Sequence, residues 1–65
     1  MNRIKRARLI EGLTQNELAV KLGVSTVAVC KWENGQTFPS AKRLKAVAET
    51  LHTTVADLLE EERAV

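Results

Sequence analysis

An all-α fold, a compact five-helix bundle, is what this sequence predicts, on three observations. Helix-capping residues recur at short intervals along the chain, apolar residues repeat at helical spacing, and no period-2 run bounded by hairpin signals occurs. A hydrophobic share of 45% beside 28% charged residues excludes a disordered composition. Sixty-five residues read as one domain, 1–65. A domain that short buries only about 60% of the surface its unfolded chain exposes, so its core is thin.

The first helix is expected over Asn2 to Glu11, with Gly12 placed to take the left-handed conformation that ends a helix. Thr14-Gln15-Asn16-Glu17 reads as a capping box, in which the Thr14 hydroxyl and Glu17 carboxylate satisfy each other's free backbone amides. That second helix runs to about Leu22 and stops at Gly23. After the short connection Gly23-Val24, Ser25 caps a third helix that continues through Trp32 to Asn34 and ends at Gly35. Two short helices joined by a tight turn containing Gly form a helix-turn-helix. Gln36-Thr37-Phe38-Pro39 is looser, and Pro39 ahead of the Ser40 cap suits a helix entrance. In the fourth helix Leu44, Val47, Ala48 and Leu51 stand at i, i+3, i+4 and i+7, one buried stripe. Thr53-Thr54 interrupts it. Thr54 with Asp57 opens a fifth helix, whose Val55, Leu58 and Leu59 are expected to close the core, and the acidic run Glu60-Glu61-Glu62 reads as a solvated helix end.

The helical spacing also sorts the faces. On the second helix Leu18, Ala19 and Leu22 turn inward while Gln15, Asn16 and Lys21 lie outside. On the third, Val29 and Trp32 turn inward. Thr26, Val27, Cys30 and Lys31 remain, at i, i+1, i+4 and i+5, as one contiguous outward strip. Its chemistry suits a DNA major groove. Lys31 donates to the O6 and N7 acceptors of guanine, Thr26 offers a hydroxyl or a methyl, and Val27 packs on a thymine methyl. The same four residues also suit an ordinary solvated face. The starts of the second and third helices present free amides, so Gln15, Asn16 and Ser25 are candidate phosphate contacts; Thr14 and Ser25 fit equally as plain caps.

Net charge is +2, unevenly placed: residues 1–45 carry nine Lys/Arg against three Asp/Glu, and residues 46–65 carry one against five. The basic part attracts phosphate, with Arg3, Lys5, Arg6, Lys42 and Arg43 as long-range candidates. No run of 18 apolar residues and no basic-then-apolar leader is present, so neither a membrane span nor a secretory signal is read, and the cytoplasm is the expected location. A lone Cys30 with a distant His52 gives no zinc spacing and no nucleophile–base pair, and there is no glycine-rich phosphate loop. No cofactor, no metal and no enzyme activity is expected.

The run Leu13-Thr14-Gln15-Asn16-Glu17-Leu18-Ala19-Val20-Lys21-Leu22-Gly23-Val24-Ser25, then Val29 and Lys31-Trp32-Glu33-Asn34-Gly35, resembles the phage-repressor and Cro-like, XRE-type helix-turn-helix family. Pro39-Ser40 and Thr54-Val55-Ala56-Asp57-Leu58-Leu59 resemble its later helices, so nearly the whole chain is covered. The resemblance implies a double-stranded-DNA-binding transcriptional regulator, usually a repressor, with its third helix in the major groove and a two-fold homodimer on an inverted repeat. It implies base reading by Thr26, Val27 and Lys31, a phosphate contact at Gln15, and a second backbone clamp from Asn34 with Gln36 and Thr37. Arg8 and Glu33 resemble the pair that ties the first helix to the end of the third. Short side chains at Thr26 and Val27 depart from the long polar ones common in the family, which shifts weight to methyl contacts or DNA shape. Cys30, where a small polar residue is common, reads as a filler on the groove face. Leu9, Ile10 and Val20 fall off the inward stripes, as dimer contacts or scattered surface apolars.

Other functions stay open at this level. The chain also suits the antitoxin half of a toxin–antitoxin pair, a controller protein of a restriction-modification operon, or a protein-interaction module that keeps the fold without binding DNA.

Overall fold

A computed structural model describes residues 2–59 as five helices in the order α1 (Arg3–Ile10), α2 (Gln15–Leu22), α3 (Thr26–Glu33), α4 (Ala41–Thr50) and α5 (Val55–Leu59). The run Glu60-Glu61-Glu62 lies outside the described residues. Among those residues there is no strand, and no helix is long and apolar enough to cross a membrane.

Each helix begins where its cap stands. Thr14 Oγ1 accepts from the Glu17 amide at 3.0 Å and Glu17 Oε1 accepts from the Thr14 amide at 2.9 Å, completing the capping box. Ser25 caps α3 through the Ala28 amide, and Ser40 caps α4 through the Arg43 amide. Three boundaries move inward from the sequence expectation. Asn2 and Glu11 flank α1 as its caps, and Asn34 is the cap of α3. Asn2 has extended backbone and its Oδ1 accepts from the amides of Ile4 and Lys5, so it stands outside the helix it starts.

Gly23 ends α2 at φ +71°, a left-handed conformation that costs any residue with a Cβ about 1–2 kcal/mol. That conformation makes the tight turn that delivers Ser25 to the start of α3. The chain turns the same way after α4 without a glycine, since His52 has φ +56°. Its Nδ1 lies 2.7 Å from Glu11 Oε1, joining the ends of α4 and α1 at the surface.

The core draws on every helix: Ile4 from α1, Leu18 and Ala19 from α2, Val29 and Trp32 from α3, Leu44, Val47 and Ala48 from α4 with its cap Leu51, and Leu58 from α5. Ala7, Leu13, Leu22, Val24, Ala28 and Val55 pack around it. α2 packs on α3 and α4, while α5 bridges α4 and α1, which in turn meets α3. The expectation for Leu59 is corrected: it is 55% exposed. One helical step of about 100° from buried Leu58 carries it off the core face, and a five-residue helix has one buried face only.

Arg8 and Glu33 are the buried charged residues of the described chain. Arg8 Nε donates to Glu33 Oε2 at 2.7 Å and Arg8 Nη2 to Glu33 Oε1 at 3.0 Å, a bidentate pair. The remaining Arg8 nitrogen, Nη1, donates to the Leu13 carbonyl at 2.7 Å, and Gln15 Nε2 donates to Glu33 Oε1 at 3.0 Å. Desolvating both ions is compensated because their hydrogen-bonding groups are matched, and among the described residues no buried side-chain nitrogen or oxygen lacks a partner. Arg8→Ala leaves a buried carboxylate without its cation, so urea unfolding should show a loss of about 3–5 kcal/mol. The Arg8→Ala/Glu33→Ala double variant should lose less than the two single losses added together.

Candidate nucleic-acid interface

α3 divides along its length. Val29, Trp32 and Glu33 are buried, Ala28 is half-buried against the core, and the opposite side carries the four residues of the sequence-predicted strip. Within that strip exposure is uneven: Val27 (61%) and Lys31 are exposed, whereas Thr26 and Cys30 are half-buried. Val27 is thus a branched apolar side chain held in water on a rigid helix, with no core contact to account for it.

The start of α2 meets the start of α3 at this strip. Thr26 Oγ1 donates to Asn16 Oδ1 at 2.9 Å, which joins a predicted base-reading residue to a predicted backbone contact. A threonine hydroxyl has one hydrogen, so this bond leaves Thr26 with acceptor lone pairs and its methyl group. Asn16, with its oxygen engaged, retains both amide hydrogens for an outside acceptor. Gln15 is half-buried and directs one amide hydrogen to Glu33, keeping a second. Thr14 and Ser25 hydroxyls both accept from backbone amides, so their local role is the cap.

Beyond α3 the chain wraps back on the helix end. The amides of Gln36 and Thr37 both donate to the Lys31 carbonyl, at 3.0 and 3.4 Å, and Asn34 Nδ2 reaches Cys30 Sγ at 3.5 Å. Asn34, Gln36 and Thr37 are exposed there beside Lys31, as a second polar cluster at the opposite end of α3 from Gln15, Asn16 and Ser25.

The long-range cations separate. Arg3 turns to α5, donating through Nη2 to Asp57 Oδ1 at 3.0 Å and through Nε to the Asp57 carbonyl at 3.2 Å. Arg43 donates to the Leu22 carbonyl at 3.4 Å, so α4 reaches the turn between α2 and α3. Lys5, Arg6 and Lys42 are exposed.

One link to α3 escaped the sequence reading. Asn2 Nδ2 donates to the Trp32 carbonyl at 2.8 Å across thirty positions of chain. Asn at the start of a helix is a cap signal, and nothing local reports what its other amide atom meets.

Two short helices at a tight turn, the second half-buried and half-presented, with polar clusters at both of its ends, are the arrangement of a helix-turn-helix domain. The chain belongs to the helix-turn-helix family, whose sequence profile matches residues 4–58. It is similar to the HTH-type transcriptional activator BcrR of Enterococcus faecalis, 33% identical over 97% of this chain and 31% of the relative. It is also similar to a 26 kDa repressor protein of Escherichia phage HK022, 41% identical over 68% of this chain and 19% of that protein. An uncharacterized HTH-type transcriptional regulator of Methanocaldococcus jannaschii is 35% identical over 88% of this chain and 86% of its own length. The chain therefore spans under a third of the first two relatives and most of the third.

The capping box that presents Gln15 and Asn16 is pH-linked. Hydrogen bonds from the Thr14 backbone and then its side chain, with Lys21 nearby, hold the Glu17 carboxyl below its ordinary value. A lowered folded value means that the stabilisation is present above the unfolded carboxylate range and is lost as pH falls through the folded one. The melting-temperature gap between the natural chain and Glu17→Ala should accordingly be open at neutral pH and close on acidification, as read by circular dichroism.

Proposed function

We propose that residues 1–65 act as one sequence-specific double-stranded-DNA-binding regulator that lays α3 in the major groove and represses by occupying its operator. The division of α3 carries this reading: the side bearing Val29, Trp32 and Glu33 is locked into the domain, which holds Val27 and Lys31 rigidly outward. Lys31 donates to guanine, Val27 packs on a thymine methyl, and Thr26 serves as an acceptor for a base amino group or as a methyl contact. Cys30 fills the space between them on the same face.

Gln15, Asn16 and Ser25 hold phosphates on one side of the groove, helped by the positive ends of α2 and α3, and Asn34, Gln36 and Thr37 hold the other. Two copies on an inverted repeat place their half-sites about 10 base pairs apart, one helical turn. Occupancy alone excludes a competing protein from the same DNA, so repression asks for no surface beyond this face.

Selection from a random duplex library at moderate salt should enrich an inverted repeat, and the Thr26→Ala/Val27→Ala/Lys31→Ala triple variant should lose it. Binding without an enriched motif that vanishes steeply with salt would reduce the interaction to phosphate attraction and sink the reading. On the enriched site, Lys31→Ala should weaken binding by about 1–3 kcal/mol and relax base choice at one position.

A further inference from the structure

We infer that Asn2 is a positioning residue for DNA reading: one carboxamide that both starts α1 and holds the last turn of α3, setting the direction of the groove-facing strip. The inference rests on the DNA-reading role proposed for α3.

The orientation of the Asn2 amide is fixed by its surroundings. Its Oδ1 accepts from two backbone amides, Ile4 at 2.8 Å and Lys5 at 3.1 Å, and only an oxygen can do that. The nitrogen must therefore face the other way, where it donates to the Trp32 carbonyl at 2.8 Å. That carbonyl belongs to the last turn of α3, where the helix's own amides run out, and it also accepts from the Gly35 amide at 3.3 Å.

The neighbouring residue of the same turn, Glu33, is held by Arg8 from the last turn of α1. Two consecutive residues of α3 are thus gripped from the two ends of one eight-residue helix. Val29, Trp32 and the bidentate Arg8 pair fix most of the rotation of α3, and the Asn2 bond sets the direction of its last turn within that frame. Rotation decides where Val27 and Lys31 point, since each residue of a helix is set by about 100° from the next. At the other end α3 is held at the surface by the Thr26–Asn16 bond. Removing the Asn2 donor releases the last turn of α3 for a small change of direction while the Arg8 pair and the core persist.

Serine separates the two jobs of Asn2. It is as good a helix cap as asparagine but too short to reach Trp32. Asn2→Ser should therefore keep the helical content and most of the melting temperature, whereas Asn2→Ala, which loses the cap too, should melt lower. On the site enriched by the natural chain, Asn2→Ser should lower discrimination between the selected and scrambled duplexes about fivefold, as expected for one hydrogen bond. Trp32 is the single tryptophan and the chain has no tyrosine, so its near-UV circular dichroism reports the same turn without DNA, and that signal should change. Asn2→Asp, another cap without the donor, serves if the serine variant folds poorly.

Unchanged discrimination overturns the inference, whether or not the Trp32 signal moves, because the bond would then only stabilise. A natural chain that enriches no site fails the DNA-reading proposal itself and takes this inference with it. Enrichment by the natural chain with no effect of Asn2→Ser fails this inference alone.

Discussion

The arrangement of α1, α2 and α3 depends on the buried pair between Arg8 and Glu33. Four segments converge on it: the last turn of α1, the Leu13 carbonyl in the loop, Gln15 at the start of α2, and the end of α3. Apolar side chains of the same volume would avoid the desolvation cost and hold the helices together as firmly. They would not hold them in one orientation, because apolar packing is non-directional while a bidentate guanidinium–carboxylate pair is satisfied only in plane. A thin core in a chain of 65 residues leaves that direction to polar contacts.

The same economy explains how α3 is both held and presented. Its buried residues Val29 and Trp32 contribute to the core, and its ends are fastened by polar contacts at Thr26, Trp32 and Glu33. What is left over, the side chains of Val27 and Lys31, has no hydrogen bond or core contact among the described residues. Exposure of a branched apolar residue on a helix so firmly held is unremarkable alone. Beside a lysine one turn away and polar clusters at both helix ends, it acquires a direction and a chemistry.

Legibility followed locality. The caps Thr14, Ser25 and Ser40 and the stripe Leu44, Val47, Ala48 and Leu51 were readable because each is settled within one or two turns of chain. The core face of α1 was not: Ile4 is buried, but the same face carries Arg8, so no apolar stripe marks it. Leu59 groups in the sequence with Val55 and Leu58 as core, but α5 buries the face that carries Leu58, and one helical step further Leu59 meets water. His52 carries the left-handed turn after α4, a conformation the sequence signals with glycine elsewhere in this chain.

By itself, then, the sequence determined five helices, the tight turn at Gly23 and which residues of α3 share a face, since these follow from capping chemistry and from 3.6-residue periodicity. Family resemblance, read from the same string, brought Arg8 and Glu33 together as an expectation. Tertiary structure alone decided that Asn2 meets Trp32, that Arg3 turns to Asp57, that Thr26 gives its hydrogen to Asn16, and that Gln15 joins the buried pair. The physical reason is the reach of the information. A cap is satisfied by its own neighbours, whereas a side chain's second hydrogen-bonding atom is satisfied by whatever the packing of distant helices brings within about 3 Å.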